Sequence, residues 1–162
     1  EGMKGAKFDL VETGGGSSSS TLISPDMHKE FCLPYDRAMH DALHDLGFLT
    51  TYHTCGGTYG LEEHIVNNQT DVSESLAPVS VCGNQERWEF KEKVGERVAL
   101  IGGIDQFNTL EADDEVIRSK VHELFEKVGY NGGYICSCSD HFFETPVEKL
   151  KVFAEAAREC KY

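Results

Sequence analysis

The sequence is poor in positive charge and has no long hydrophobic run. Its 15 Lys and Arg residues stand against 28 Asp and Glu residues, so the formal net charge is −13. A chain of this charge repels phosphate backbones and anionic lipid surfaces, which argues against nucleic acid and membrane surfaces as partners. No apolar stretch approaches the roughly 20 residues that span a bilayer, and the N-terminus lacks the charged and then apolar pattern of a signal peptide. We therefore expect a cytoplasmic protein.

The sequence also lacks the pattern of a small disulfide-bonded domain. Six cysteines are present, but a chain of 162 residues is larger than the secreted domains that depend on several disulfides. With 40% hydrophobic and 27% charged residues, the chain can bury a core. The cysteines are Cys32, Cys55, Cys82, Cys136, Cys138 and Cys160. We expect free thiols, and a structural or incidental role for Cys32, Cys82 and Cys160.

Short apolar strands alternate with amphipathic helices along the whole chain. Five strands are predicted, at residues 8–13, 48–52, 72–76, 98–101 and 133–138. Helices are predicted at about 36–46, 61–68, 86–94 and 114–128, in a segment that begins with Ser24-Pro25, and in a last segment that begins with a capping box, Thr145 to Glu148. Because no hairpin signal separates the strands, this order indicates a parallel α/β sheet.

Seven segments, taken in order, resemble the uroporphyrinogen decarboxylase superfamily, including its cobamide-dependent (methylcobalamin:coenzyme M type) methyltransferase branch. They are FDLVETGGG at 8–16, LISP at 22–25, LPY at 33–35, HTCG at 53–56, VALIGGID at 98–105, GGYI at 132–135 and TPVE at 145–148. Each segment is weak alone, and the series covers nearly the whole chain. The resemblance implies that residues 1–162 form a single segment, the C-terminal part of a TIM-type (β/α)8 barrel.

Five strand and helix units are too few to close such a barrel. A closed eight-stranded barrel takes about 250 residues, and an open set of five strands leaves two edges and one apolar face in water. We expect another segment to complete the barrel. It is either an absent N-terminal portion or a second copy of the chain.

The methyltransferase branch binds zinc through a His-x-Cys motif and a later cysteine. His53 and Cys55 match the first two positions, and Cys138, seven residues before Thr145, is taken as the third ligand. This stretch can be aligned with the family from Gly132 or from Thr145. The two alignments differ by one residue, and neither places Cys138 on the family's ligand position. Cys136 stays open as the alternative ligand.

Thiolate and imidazole are ligands that Zn²⁺ prefers, and three protein ligands with one open position are typical of a catalytic site. The resemblance implies that an acceptor thiol takes the open position and attacks a methyl group on methylcobalamin, a cobamide presented by a corrinoid partner protein. Glu74 is a candidate fourth ligand that leaves when substrate arrives. For His141, three interpretations stay open: a ligand, a general acid, or a solvated loop histidine.

Further polar residues at strand ends are candidate contacts of the substrate. Glu12 and Asp105 end strands on the same rim, where a carboxylate either orients a substrate or caps the next turn. The stretch from Gly14 to Ser20 is interpreted as a barrel loop, with a flexible linker or an anion-binding loop as the alternatives. The remaining histidines are expected on solvated helix surfaces. They are His28, His40, His44, His64 and His122.

Two other functions stay open at the level of the sequence. One is decarboxylation of a porphyrinogen, which in the family uses basic and acidic residues from the N-terminal part of the barrel and needs no metal. The other is a half-barrel that binds a partner or a cobamide without turnover. Zinc-dependent methyl transfer is preferred because a decarboxylase would leave Cys55 and Cys138 without a role.

Overall fold

The computed structural model describes residues 5–162 and contains a five-stranded parallel sheet. The strands are β1 (Leu10–Gly14), β2 (Leu49–His53), β3 (Val72–Ser75), β4 (Ala99–Ile104) and β5 (Tyr134–Cys138). Each pairs with the next in the order β1-β2-β3-β4-β5, and every pairing is parallel. The number of strands and their parallel arrangement are confirmed.

Six α-helices of the described residues connect and follow the strands, together with two 3-10 helices of three residues each. The α-helices are α1 (Pro25–Phe31), α2 (Leu33–Asp45), α3 (Glu62–Asn67), α4 (Arg87–Val94), α5 (Asp114–Lys127) and α6 (Val147–Glu159). The predicted start of α1 is confirmed, because the Ser24 hydroxyl accepts the backbone N–H of Met27 and Pro25 follows it. The described residues contain no helix with the length and hydrophobicity that crossing a bilayer requires.

Two helix starts differ from the prediction. Helix α2 begins at Leu33, because Pro34 lies in its first turn, where a missing N–H breaks no helical hydrogen bond. Helix α6 begins at Val147, after Pro146, and no side chain caps it, so the predicted capping box there is wrong. A capping box does form at α4, where Glu86 and Glu89 bond to each other's backbone N–H groups.

The core lies between one face of the sheet and the helices. On α5, Ile117, Val121 and Leu124 are buried, whereas Val116 is exposed. Val121 and Leu124 pack in one cluster with Leu100 and Ile104 of β4 and Tyr134 of β5. Full burial of each such side chain contributes about 1.5–3 kcal/mol. The core residues of the strands include Tyr52, Leu100, Ile104 and Tyr134.

Two histidines of α1 and α2 are buried, so the prediction that they lie on solvated surfaces is wrong. His28 and His40 have no exposed area. His40 bonds to the Asn68 carbonyl and to Thr13 Oγ1, and His28 Nε2 lies 3.3 Å from the Tyr52 hydroxyl. Burial of these rings is tolerated because most of their polar atoms have partners inside the protein.

The opposite face of the sheet is open, and it carries the candidate site. In a parallel sheet, residues in register share a face, and alternate residues along a strand face opposite sides. His53 is in register with Glu74, Glu74 with Ile101, and Ile101 with Ile135. This face is the interior of a barrel, and Leu49 and Ile135 expose about half of their surfaces on it, 54% and 53%.

Candidate functional site

Three polar side chains meet at the carboxyl ends of β1, β2 and β3. His53 is the last residue of β2 and is in register with Glu74 of β3. Glu12 lies two residues before Gly14, the residue of β1 that pairs with His53, so it shares the same face. All three line one cavity of about 350 Å³. The fold thus places imidazole and carboxylate groups together at the end where barrel sites occur.

The imidazole of His53 bridges two different groups. Its Nδ1 lies 3.4 Å from Oε2 of Glu74, and its Nε2 lies 2.6 Å from Sγ of Cys55. The hydrogen bond with Glu74 raises the pKa of His53, although burial opposes the change. With Nδ1 held by Glu74, Nε2 would be free to bind a metal ion beside Cys55, which is the arrangement of a metal-binding histidine and its supporting carboxylate.

The thiol of Cys55 contacts a carboxylate that the sequence prediction did not include. Cys55 Sγ donates to Oδ2 of Asp140 at 3.1 Å, and the backbone N–H of His141 donates to Oδ1 of the same side chain at 2.7 Å. Burial and the contact with Asp140 raise the pKa of Cys55 to about 12. Burial acts to raise the pKa of Asp140 as well, but the His141 N–H and the Cys55 thiol outweigh it and lower that pKa.

One nitrogen, one sulfur and one oxygen therefore converge on a single point. The ligand atoms of His53, Cys55 and Asp140 all lie within 4.8 Å of one another. Imidazole, thiolate and carboxylate are the three ligand types that Zn²⁺ uses in proteins, so this donor set fits a zinc ion with one open position. The ligand atoms of Glu12, His53 and Glu74 also lie within 4.8 Å of one another, so this second group shares the imidazole of His53 with the first.

Cys138 does not join this cluster. It is in register with the buried Ile104, and Cys136 is in register with Gly102, so both cysteines alternate to the face that carries the helices. Both pack against the hydrophobic core, and burial raises the pKa of each thiol to about 11. Cys138 also forms part of the cavity wall. The third residue beside His53 and Cys55, whose ligand atoms lie within 4.8 Å of each other and of its own, is therefore Asp140 and not the expected Cys138.

The remaining predicted site residues fall into two groups. Glu12 and His141 line the cavity, and Glu12 is exposed. Asp105 lies outside it and is buried in the turn after β4. It accepts hydrogen bonds from Ser80 Oγ and from the backbone N–H groups of Phe107 and Asn108, at 2.6 to 2.9 Å. Burial alone would raise the pKa of Asp105, but these hydrogen bonds outweigh that effect, so the pKa lies below its ordinary value. Asp105 thus caps the turn after β4, which is one of the two roles considered for it from the sequence.

The glycine- and serine-rich loop after β1 packs against the thiol. A Cβ atom at Gly16 would lie 3.1 Å from Cβ and 3.6 Å from Sγ of Cys55. The loop is fixed by a hydrogen bond from Ser18 Oγ to the Gly15 carbonyl and by one from the Ser20 N–H to the Gly57 carbonyl. The segment lies between β1 and α1, contains a short 3-10 helix (Gly16–Ser18), and forms one side of the candidate site.

A parallel sheet that carries these groups at its carboxyl ends defines the class of (β/α)-barrel proteins with a site at the rim. Residues 4–160 match the family described as uroporphyrinogen decarboxylase (URO-D), and the chain belongs to that family. The resemblance found in the sequence is thereby confirmed.

A curated protein and a solved structure, both from Methanosarcina mazei, are similar to this chain. The first is a methylated-thiol–coenzyme M methyltransferase, 24% identical over 145 residues, which are 88% of this chain and 36% of the relative. The second is the structure of a methyltransferase, with a TM-score of 0.72 and 20% identity, matched over 93% of this chain and 42% of that one. The chain thus spans about two fifths of the length of the proteins it matches, and the solved structure supports the barrel fold alone.

Proposed function

We propose that this chain carries the metal site of a zinc-dependent methyltransferase, which moves a methyl group between a corrinoid (cobamide) carrier and a thiol or similar acceptor. The observation that carries the proposal is the convergence of His53, Cys55 and Asp140 at the rim. The curated relative, named for methyl transfer to coenzyme M, supports the reaction class.

The three ligands have distinct tasks in this proposal. Bound zinc supplies Lewis acidity, which lowers the pKa of an acceptor thiol in the open position so that thiolate is available near neutral pH. His53 offers Nε2, and Cys55, whose pKa in the free protein is about 12, gives up its proton when it becomes a ligand. Asp140 adds a negatively charged oxygen that the His141 backbone holds in place.

Other cavity residues support the site. Glu74 holds the Nδ1 side of His53, so in this proposal it orients the ligand from outside the metal group. His141 lines the cavity beside Asp140, and in this proposal it would act as the general acid that exchanges a proton with an acceptor. The methyl group would arrive on methylcobalamin presented by a corrinoid protein, the partner that the relationship to a coenzyme M methyltransferase suggests.

The part of the cavity wall that the described residues form offers no Lys or Arg to the substrate of a decarboxylation. A porphyrinogen that loses carboxyl groups is a polyanion, and its binding calls for Lys or Arg side chains. The cavity wall formed by the described residues contains three carboxylates, Glu12, Glu74 and Asp140, and neither Lys nor Arg. Like charges on this wall repel such a substrate, so any basic residues that bind it would have to come from the N-terminal part of the barrel.

Metal analysis of four proteins tests the proposal. Wild type, Cys55→Ser, Asp140→Asn and Cys138→Ser would be purified without oxygen, loaded with zinc and titrated against a chromogenic chelator. We expect about one zinc per chain for wild type and Cys138→Ser, and at least a roughly tenfold lower affinity for the other two variants, because each of these has lost a ligand.

Cys138→Ser is the matched control, since it removes a thiol from the same cavity wall without removing a proposed ligand. Loss of zinc in Cys138→Ser with retention in Asp140→Asn would return the third position to Cys138. A wild-type protein that binds no zinc would refute the metal site.

A further inference from the structure

The cavity beside the proposed metal site is strongly one-sided in charge. Its wall is formed by Glu12, His53, Glu74, Ser137, Cys138, Asp140, His141 and Phe142. Three of these residues are carboxylates, and none of the described residues that form the wall is Lys or Arg. Neither Glu12 nor Glu74 forms an ion pair with Lys or Arg among residues 5–162, and the nearest basic group to Glu74 is the imidazole of His53, whose Nδ1 lies 3.4 Å away.

A divalent ion at the proposed site does not neutralise this charge. The two positive charges of the ion are balanced by the thiolate of Cys55 and the carboxylate of Asp140. The carboxylates of Glu12 and Glu74 then remain, and both face the cavity from the neighbouring strands β1 and β3. The space that an acceptor would enter therefore keeps a negative potential after the ion has bound.

We propose that this cavity selects a small acceptor that carries a positive charge, such as a thiol with an ammonium group, over one that carries a sulfonate or a carboxylate. This inference rests on the proposed function and adds the class of substrate to it. A volume of about 350 Å³ suits a small molecule. Phe142 adds an aromatic ring to the wall, against which an alkyl chain or a cation packs favourably.

Glu12 is the residue on which the selectivity depends most directly. It is exposed to the cavity and is not one of the three proposed zinc ligands, so Glu12→Gln removes a charge from the wall without removing a ligand. Glu30 offers a matched control, because it is also an exposed glutamate, on α1, and does not line the cavity. Glu12→Gln and Glu30→Gln change the net charge of the chain equally.

The test compares the reaction of Cys55 with two methanethiosulfonate reagents of opposite charge, 2-aminoethyl and 2-sulfonatoethyl. Rates at Cys55 would be measured by peptide mass spectrometry in the metal-free chain and divided by the rates of a small free thiol. We expect the ratio of cationic to anionic rates to exceed that of the free thiol by roughly tenfold, the lower range of electrostatic steering. Glu12→Gln should lower the ratio, and Glu30→Gln should leave it unchanged.

A ratio equal to that of the free thiol, a preference for the anionic reagent, or no response to Glu12→Gln would overturn the inference. The measurement needs no metal, so it separates the two proposals. Cation preference in a protein that binds no zinc supports the charge of the cavity and refutes the metal site. Zinc binding without a preference for the cationic reagent supports the metal site and refutes the proposed charge selectivity of the cavity. A second measurement on zinc-loaded protein compares the affinities of 2-aminoethanethiol and 2-mercaptoethanesulfonate, and Glu12→Gln should bring these affinities closer together.

Discussion

Gly16 determines how closely the loop after β1 approaches the thiol of Cys55. Its backbone φ does not lie in the left-handed region, so alanine is conformationally allowed, and the effect of a Cβ comes from its contact with Cys55 at 3.1 Å. We expect Gly16→Ala to displace the side chain of Cys55 and to weaken zinc binding by roughly three- to tenfold, a loss of about 1 kcal/mol in positioning. Chelator competition measures it.

Gly15→Ala is the matched control, because a Cβ at Gly15 meets no atom within 4 Å and the residue is in an extended conformation. Equal zinc affinity in the two alanine variants would show that the loop does not position the thiol.

The hydroxyl of Tyr52 satisfies several buried groups on the helix side of β2. It donates to Asp36 Oδ2 at 2.7 Å and lies 3.0 Å from Ser18 Oγ and 3.3 Å from His28 Nε2. Tyr52→Phe leaves these groups without that partner, so we expect a loss of about 1–3 kcal/mol in the free energy of unfolding. Urea unfolding checks this, with Tyr35→Phe, which alters an exposed ring, as the control. A Tyr52→Phe protein as stable as Tyr35→Phe would contradict the expectation.

At the scale of residues, the sequence predicts the part of the site that one strand carries. His53 and Cys55 are two residues apart at a strand end, and local spacing suffices to bring them together. Asp140 was missed because its contact with Cys55 depends on where β5 ends relative to β2, which is a long-range relation. One warning about Cys138 was present in the sequence, because the alignments with the family from Gly132 and from Thr145 differed by one residue. The burial of His28 and His40 likewise depends on partners 24 to 28 residues away.

At the scale of elements, the strands were predictable because each apolar run ends at glycine or a polar turn. The starts of α2 and α6 were not, since Pro34 and Pro146 are compatible with more than one first turn. The orientation of β5 was the most consequential uncertainty. Alternation places Cys136 and Cys138 on the same face, but the sequence does not say which face, and packing against α5 and α6 decides it.

Asp71 links β2, β3 and α2, and it makes stability depend on pH. Its Oδ2 accepts from the Thr50 N–H at 2.7 Å and from His44 Nε2 at 2.9 Å. Burial raises the pKa of Asp71, but these hydrogen bonds outweigh it and lower the pKa below its ordinary value of 3.8. A carboxyl with a lowered pKa stabilises the fold above its unfolded-state pKa, and this contribution is lost as the pH falls through the folded-state value.

We expect Asp71→Asn to lower the free energy of unfolding by about 1–2 kcal/mol at pH 7, since hydrogen bonds to a charged group are lost. The difference from wild type should shrink below about pH 4 as the carboxyl becomes protonated in the unfolded and then the folded state. Urea unfolding at pH 7 and at low pH measures it. Asp41→Asn, which removes an exposed pair with Arg37 at 3.7 Å, serves as the control and should have little effect. A difference that stays constant with pH would contradict the assignment.

At the scale of the whole molecule, the five-stranded sheet is geometrically an incomplete barrel. Within the described residues, β1 and β5 each pair along one edge only. The matched structure is longer than this chain, which covers 42% of it. Three further strands would bring the sheet to the eight of a closed barrel, whereas two copies of this chain would bring together ten, so the segment that fits best is one that contributes three strand and helix units.

The open face leads to a prediction about the isolated chain in solution. Leu49 and Ile135 lie about half-exposed on the inner face, beside two unpaired strand edges. Apolar surface and strand edges of this kind promote association, so we expect sedimentation velocity to show species larger than the 18.0 kDa monomer. The double variant Leu49→Lys and Ile135→Lys should shift the distribution toward monomer, because it places charges on that face. Leu22→Lys, at an exposed loop position outside the sheet, should not. A wild-type chain that sediments as a single 18.0 kDa species and does not bind a dye specific for apolar surfaces would show that the inner face needs no further segment to cover it.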